Sequence, residues 1–327
     1  MLNIFYNPIY FKRRGVLLTK SFKFSIFYNA LIDINYFLNV PINENLITSG
    51  PQKRMNNLIK TFRNQKNISF NSNKFSNTYI VQFDEFGQTI LEKIIKDKKL
   101  DTKVLIGPLY SIEQDRKLNE MINKYPYIKK VVASSSAYEN CFRFDKNFRP
   151  DTTIVLPSGV VSENTIQNNL KIKDRKNKVL IYYKKRSQED LNSLTDFLNK
   201  KGQPYKIFRY GEYKHKDLIK AAKECKFGIT VSCTESQGFG IQEIMACNLP
   251  LLVWDYKVNQ YEEFTLPGTT VPYWSNLCGK IVSDKIELFK YYDEFENNLS
   301  NYNPANFINE NLTYENFYKN LLNSYNF

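Results

Sequence analysis

Residues that could do chemistry concentrate between Glu235 and Glu243, a stretch that reads ESQGFGIQE. Its two carboxylates flank a glycine pair, Gly238 and Gly240, and it follows an apolar run that predicts a buried strand. Glycines let a backbone approach a ligand closely, and the unpaired N–H groups at the start of a helix suit a diphosphate. Glutamates beside such amides accept hydrogen bonds from the vicinal hydroxyls of a ribose or hexose. The pattern therefore predicts a site for a sugar nucleotide.

A plain structural role explains the same stretch. In that interpretation the two glycines only shape a turn, Glu235 is a solvated loop residue, and Glu243 merely favours the start of a helix. A lone Gly-x-Gly is a weak signal because such pairs are frequent by chance. Spacing alone leaves both interpretations open.

A basic run, Lys184, Lys185 and Arg186, comes directly after another apolar run that predicts a strand. In an open parallel sheet, ligands bind at the carboxyl ends of the strands. Ammonium and guanidinium groups placed there would stabilise the charge of a leaving nucleoside diphosphate. The alternative is a solvated basic run in a chain that is rich in lysine.

Short apolar strands alternate with amphipathic helices through most of the chain. The expected strands cover residues 78–83, 103–106, 128–133, 179–183, 205–208, 227–231 and 249–254. The expected helices cover residues 48–63, 86–95, 111–125, 189–200, 215–225, 240–247, 285–299 and 306–325. Aromatic runs at 22–28 and 33–40 are candidates for two more strands. Such alternation predicts an α/β fold of parallel sheets with both faces covered.

The length of 327 residues favours two domains over a single hydrophobic core. The segment RPDTTIVLPSGV, with two prolines and a glycine, places the junction near Pro157. We expect a Rossmann-like domain over 1–157, a second one over 158–305, and a C-terminal helix within 306–327 that packs back toward the first domain.

The net charge of +13 predicts an anionic partner: nucleic acid, a membrane surface or a phosphorylated small molecule. Five cysteines without a CxxC pair, and a single histidine, argue against a zinc site and favour a reducing cytosol. No apolar run reaches the roughly 18 residues that span a bilayer, and the N-terminus lacks the order of a secretory signal. We expect a cytoplasmic protein, with peripheral contact at a membrane surface left open.

The segment 232–250 resembles the Glu-x7-Glu region of retaining GT-B glycosyltransferases of the GT4-like group (glycosyltransferase group 1). The residues in step with that pattern are Ser232, Glu235, Gly238, Phe239, Gly240, Glu243, Met245, Ala246, Cys247 and Pro250. Ile244 and Asn248 depart from the family's usual alanine and glycine, and asparagine still tolerates a left-handed turn. The junction LPSGV is similar to the family's hinge, and the resemblance covers about residues 128–255.

This resemblance implies two Rossmann-like domains that face each other across a cleft, with the acceptor on the side of the first. It implies that Glu235 contacts the donor hexose and Glu243 the ribose. The amides of Phe239, Gly240 and Ile241 would face the sugar or the diphosphate.

The basic run stands where the family places a cation against the donor diphosphate. We expect Lys185 and Arg186 to act in catalysis with Glu235, and Lys184 to bind the donor. By the same resemblance Gly50 belongs to a glycine turn that faces the diphosphate, and Gly211 to a base-binding segment at 207–229.

Many GT4-like enzymes place a histidine of the first domain near the reacting carbon, and this chain has none there. Its single histidine, His215, lies in the second domain and is expected at the surface or in the base pocket. The strand end at 81–86 offers Asp84 or Glu85 as a substitute.

The expected activity is transfer of a sugar from a UDP- or GDP-linked donor to a hydroxyl of a glycan, lipid or protein, with retention. No metal is expected because the chain has no Asp-x-Asp motif, and no cofactor besides the donor. Two alternatives stay open: a nucleotide-sugar epimerase of the same fold, and a basic nucleic-acid-binding protein. The second lacks an RNP-like or helix-turn-helix pattern.

Overall fold

The computed structural model describes residues 2–6, 38–42, 50–72, 77–97, 102–108, 112–137, 139, 149–166, 174–261 and 264–326. The chain divides into two compact units. The first unit comprises Met1–Ser158 together with Phe317–Phe327, and the second unit comprises Gly159–Asn316.

The first unit contains a six-stranded parallel sheet in the order β2-β1-β3-β4-β5-β6. Its strands are β1 (Leu2–Phe5), β2 (Ile68–Phe70), β3 (Asn77–Ile80), β4 (Val104–Ile106), β5 (Ile128–Val132) and β6 (Thr153–Val155). Its helices are α1 (Gly50–Phe62), α2 (Glu85–Lys96) and α3 (Ile112–Lys124).

Both faces of this sheet are covered, as alternation along β3 shows. Tyr79 belongs to the same hydrophobic cluster as the buried apolar residues of α1. The next residue, Ile80, belongs to a different cluster, which contains residues of α2 and α3. Successive side chains of a strand point to opposite faces, so a strand buried on both faces is apolar throughout. The parallel α/β fold predicted from the sequence is confirmed.

The N-terminal segment differs from the sequence-based expectation. The end of the run proposed as a strand at 33–40 forms a turn at Leu38 and Asn39, where Asn39 has a φ of 54°. The rest of that run and the run at 22–28 lie outside the described residues. The first strand is instead β1, whose four residues carry too little periodicity to identify.

The second unit contains a five-stranded parallel sheet in the order β13-β10-β9-β7-β8. Its strands are β7 (Lys176–Lys184), β8 (Tyr205–Arg209), β9 (Cys225–Ser232), β10 (Leu251–Trp254) and β13 (Gly279–Val282). An antiparallel hairpin, β11 (Val258–Tyr261) and β12 (Phe264–Pro267), stands apart from that sheet. The longer helices of the described residues are α4 (Gln188–Lys200), α5 (His215–Glu224), α6 (Phe239–Ala246), α7 (Lys285–Asn297) and α8 (Pro304–Asn311), and a single helical turn covers Glu163–Ile166.

A buried arginine ties the C-terminal ends of α5 and α6 together. The Arg175 guanidinium donates to the carbonyls of Ala222 and Cys225 at 2.9 and 3.3 Å, and to that of Cys247 at 2.7 Å. Carbonyls at a helix end lack partners within the helix, so one cation satisfies both ends. Asn248, just after α6, has a φ of 56°, a left-handed conformation that asparagine tolerates.

The single helix predicted over 306–325 is wrong, because the chain forms α8 and then α9 (Tyr314–Asn323). At the break, the N–H of Val160 bonds to the carbonyl of Leu312, and the N–H of Tyr314 bonds to the carbonyl of Val161. The Thr313 hydroxyl accepts from the N–H of Asn316 at 3.2 Å, which is how threonine caps a new helix. Later side chains of α9, Phe317 and Leu321, join the core of the first unit.

Within the described ranges, no helix combines the length and the apolar character needed to cross a membrane.

Candidate functional site

The chemistry-bearing residues of the second unit meet where β7 and β9 end. The last residue of β7, Lys184, is in register with the last residue of β9, Ser232. The N–H of Cys233 then donates to the carbonyl of Lys184 at 2.9 Å, which joins the two strand ends. The basic run and the Glu235–Glu243 stretch therefore lie at one edge of the sheet, where parallel α/β folds bind ligands.

Lys184 and Glu235 form a close ion pair at this edge. The ammonium lies 2.7 and 2.6 Å from the two carboxylate oxygens, and the Ser232 hydroxyl donates to one of them at 3.2 Å. Only 15% and 9% of the two charged side chains is exposed. Burial by itself lowers the pKa of Lys184, but the charge and hydrogen bonds of Glu235 outweigh it and leave that pKa raised. The ammonium therefore carries its charge at neutral pH.

The two glycines of the loop serve different physical needs. Gly238 precedes α6 with a φ of 85°, in the left-handed region that glycine enters without strain. Gly240 lies against the phenol of Tyr182, and a Cβ at this position would stand 2.7 Å from the Tyr182 oxygen. Both glycines therefore have a structural role, which is to shape the start of α6.

That start presents backbone donors. The N–H of Gln242 bonds to the carbonyl of Gly238 at 3.0 Å, which begins the helical ladder. The preceding N–H groups of a helix, here those of Phe239, Gly240 and Ile241, have no carbonyl within the helix to bond. These donors and the positive end of the helix dipole suit an anionic group.

Glu243 lies in the second turn of α6 and contacts the single histidine of the chain. Its Oε1 lies 2.9 Å from Nε2 of His215, the first residue of α5. The Glu243 side chain is 7% exposed and that of His215 is 23% exposed. Sequence reasoning missed this pair, because two residues that are 28 positions apart give no local signal of contact.

Two tyrosines, Tyr182 and Tyr213, lie within the electrostatic influence of Glu235. The hydroxyls of Tyr182 and Tyr213 share a hydrogen bond, and their rings meet edge to face. Burial is the main reason that the pKa of each phenol is raised, and the negative charge of Glu235 raises both further. The charge of Glu243 also raises the pKa of Tyr213. The phenols are therefore neutral hydrogen-bonding groups at this edge.

The rest of the basic run does not join the Lys184 pair. Arg186 donates to Asp190 at 2.8 Å, and its guanidinium carbon lies 4.6 and 4.7 Å from the ring centres of Trp254 and Tyr256. Its side chain is 7% exposed, so these neighbours enclose it. Lys185 is exposed and has a φ of 51°, a left-handed backbone.

Two predicted glycine positions have open surroundings. Gly211 follows β8 with a φ of 84°, and Gly50 is the first residue of α1 in the first unit. Within the part of the chain that the structure describes, a Cβ at either position would have no heavy atom within 4 Å. Both positions leave room for a ligand beside the backbone.

At the strand end at 81–86, in the first unit, Gln82 is more unusual than the two residues predicted there, Asp84 and Glu85. Asp84 caps α2, since its carboxylate accepts from the N–H of Gly87 at 2.9 Å, and Glu85 is exposed. Gln82 is 2% exposed with a φ of 92°, and its amide has no hydrogen-bond partner among the described residues. A buried polar group without a partner costs stability, which singles out this glutamine.

No protein-family model matches the chain, and no curated protein matches its sequence. Its structure is similar to that of TarM, with a TM-score of 0.50 and 15% identity over 83% of this chain. The chain spans 58% of the length of that structure. It is also similar to sucrose-phosphate synthase from Thermosynechococcus elongatus, with a TM-score of 0.50 and 10% identity over 99% of this chain and 98% of the other. At these identities the likeness shows the fold alone: the chain, with its two parallel sheets flanked by helices, has the α/β architecture of GT-B glycosyltransferases.

Proposed function

We propose that this chain is a glycosyltransferase whose nucleotide-sugar donor binds where β7 and β9 end. One observation carries the proposal: the Lys184–Glu235 pair lies beside the first turn of α6. That edge combines a cation at the end of β7 with a carboxylate and backbone donors from the loop between β9 and α6. A fold alone does not define an activity, so the proposal rests on this arrangement.

Each part of the edge has a role in donor binding. The amides of Phe239, Gly240 and Ile241 and the Lys184 ammonium bind the diphosphate, which carries the negative charge. Glu235 accepts hydrogen bonds from hydroxyls of the transferred sugar. The donor thus replaces the internal ion pair, with phosphate taking the ammonium and hydroxyls taking the carboxylate.

The same groups serve the reaction. As the glycosidic bond breaks, negative charge grows on the leaving diphosphate, and a fixed cation in a largely buried place stabilises it. Lys184 is that cation in our proposal, with the exposed Lys185 as a second one. Arg186 receives a packing role, because Asp190 and the two aromatic rings already hold its guanidinium.

The finer features follow from the resemblance of segment 232–250. We propose a UDP- or GDP-linked donor, retention of anomeric configuration, and no requirement for a metal ion. Glu243 contacts the ribose and Gly211 adjoins the base, while the assignment of Gly50 to the diphosphate stays a prediction of the resemblance. The acceptor is a hydroxyl of a glycan, lipid or protein, and the net charge of +13 suits an acceptor held at an anionic membrane surface of the cytoplasm.

Turnover of nucleotide sugars tests this function. The protein is incubated with UDP- and GDP-linked hexoses and a panel of hydroxyl acceptors, and release of nucleoside diphosphate is followed. We expect release by the unmodified protein and a loss of at least about 100-fold in Glu235→Gln, as when a charged contact to the reacting sugar is removed. Glu224→Gln, which alters a half-buried carboxylate paired with Lys176, is the matched control.

Product analysis separates the proposal from its alternative. A transferred sugar in the product supports a glycosyltransferase, whereas an epimerised nucleotide sugar without transfer supports the epimerase. Release that is equal in Glu235→Gln and Glu224→Gln contradicts the proposed site.

A further inference from the structure

The contact between His215 and Glu243 connects the starts of two helices. His215 is the first residue of α5, and its Nε2 lies 2.9 Å from Oε1 of Glu243 on α6. Nε2 carries a proton both in the imidazolium and in one neutral tautomer, and it donates to the carboxylate in either state. The other tautomer would place two acceptors against each other, so the contact selects a donating Nε2.

The fold holds the two helices in place around this contact. Arg175 bonds to carbonyls at the C-terminal ends of both helices, as described above. Near their starts, Gly240 packs against Tyr182, whose hydroxyl bonds to that of Tyr213, two residues before His215. The imidazole therefore meets the carboxylate from a fixed direction.

A fixed carboxylate discriminates better than a mobile one. A glutamate side chain has three rotatable bonds, and a carboxylate that rotates freely adapts to many ligands. A neighbouring donor on one oxygen limits this rotation, as partners behind metal-binding or catalytic side chains do. Such partners change which ligand is preferred without touching the ligand.

We propose that His215 is a positioning residue that orients Glu243 toward the ribose diol, and so makes the site prefer ribonucleotides to 2′-deoxyribonucleotides. This inference rests on the proposed function, in which Glu243 contacts the ribose. A site built to bond a hydroxyl rejects an analogue that lacks it, and rejection weakens when the bonding group is no longer held.

The test compares each nucleoside diphosphate with its 2′-deoxy analogue. Dissociation constants of UDP and dUDP, and of GDP and dGDP, are measured by calorimetry for the unmodified protein, His215→Ala and His215→Gln. We expect the unmodified protein to prefer the ribonucleotide by about tenfold, the effect of one hydrogen bond to a charged group. His215→Ala should lower that preference to about threefold or less, mainly through weaker ribonucleotide binding.

Two variants keep the result interpretable. Glutamine carries a terminal N–H₂ donor, so His215→Gln should recover most of the preference if a donor to Glu243 is what matters. Lys220→Ala alters an exposed residue of the same helix and should leave the preference unchanged.

The possible outcomes separate a failure of this inference from a failure of the proposed function on which it rests. If His215→Ala weakens the ribo and deoxy forms equally, His215 is structural and the inference is overturned. The same holds if the unmodified protein binds both forms equally. If no nucleoside diphosphate binds the unmodified protein, the proposed function itself fails, and the inference falls with it.

Discussion

The Lys184–Glu235 pair is the residue-scale feature on which the proposed donor binding depends. Each side chain is largely buried, so each needs the other while no ligand is present. Removing one partner of such a pair leaves an uncompensated charge, whereas removing both leaves none. While no ligand is bound, the two side chains therefore satisfy each other's charge. In our proposal, a ligand of complementary charge replaces this contact.

A double-mutant cycle measures that dependence. We expect Lys184→Met and Glu235→Gln each to lower the free energy of unfolding, and the double variant to lose less than the sum of the two. A coupling of about 0.5–3 kcal/mol is the range for residues in contact or in one salt-bridge network. Urea unfolding of the four proteins supplies the numbers, and additive losses would show that the two groups do not interact.

Gly238 offers a second residue-scale prediction, one of backbone conformation. A Cβ at this position would meet no heavy atom closer than Glu235 Cβ at 3.6 Å, so space is available. The φ of 85° remains a conformation that alanine adopts only at a cost of about 1–2 kcal/mol and that asparagine tolerates better. We expect Gly238→Ala to unfold at a lower urea concentration than Gly238→Asn. The reverse order would mean that the turn is set by something other than φ.

At the scale of elements, the sequence predicted the regular part of the fold. Most helices and strands of the second unit lie within a few residues of the expected bounds, because their apolar periodicity is strong. The omissions are short or non-local. The edge strand β13 has four residues and begins at a glycine, and β11 and β12 pair only with each other. Periodicity does not identify such elements because it needs a longer window.

The break between α8 and α9 shows the other limit. Amphipathic periodicity continues across residues 306–325, so the pattern favoured one helix. Backbone pairing with Val160 and Val161, far away in sequence, stabilises the break at Leu312 and Thr313. Sequence reasoning cannot identify partners at that separation. For the same reason, neither the contact of His215 with Glu243 nor the burial of the Gln82 amide could be predicted from the sequence.

Thr313 tests the helix start at this break. Its hydroxyl caps α9, so Thr313→Ala should lower the free energy of unfolding by about 1 kcal/mol, while Thr313→Ser should keep most of it. Thr195→Ala, which alters a half-buried threonine whose hydroxyl donates to the carbonyl of Asn192 in α4, is the control for lost helix hydroxyls. Equal unfolding midpoints for Thr313→Ala and Thr313→Ser would contradict the cap.

At the scale of the whole molecule, the net charge agrees with the anionic ligand that we propose. The net charge of +13 leaves nucleic acid, membrane and small phosphates open, and the Lys184–Glu235 pair is the feature on which our proposal of a nucleotide sugar rests. The candidate site of the second unit could be predicted from the sequence because the residues that we propose to bind the donor cluster in one segment. No comparable cluster marks a site in the first unit, because its candidate residues come from separate strand ends.

Binding of nucleoside diphosphates in the presence of EDTA tests the central claim most directly. Calorimetry with UDP, GDP and ADP is carried out on the unmodified protein, on Lys184→Met and on Lys176→Met. Lys176 begins the same strand that Lys184 ends and is exposed, so it is a matched control. We predict that one of the three diphosphates binds without metal, that Lys184→Met weakens it about tenfold or more, and that Lys176→Met does not. Binding that is absent without added Mg²⁺, or equal in both lysine variants, would contradict the account.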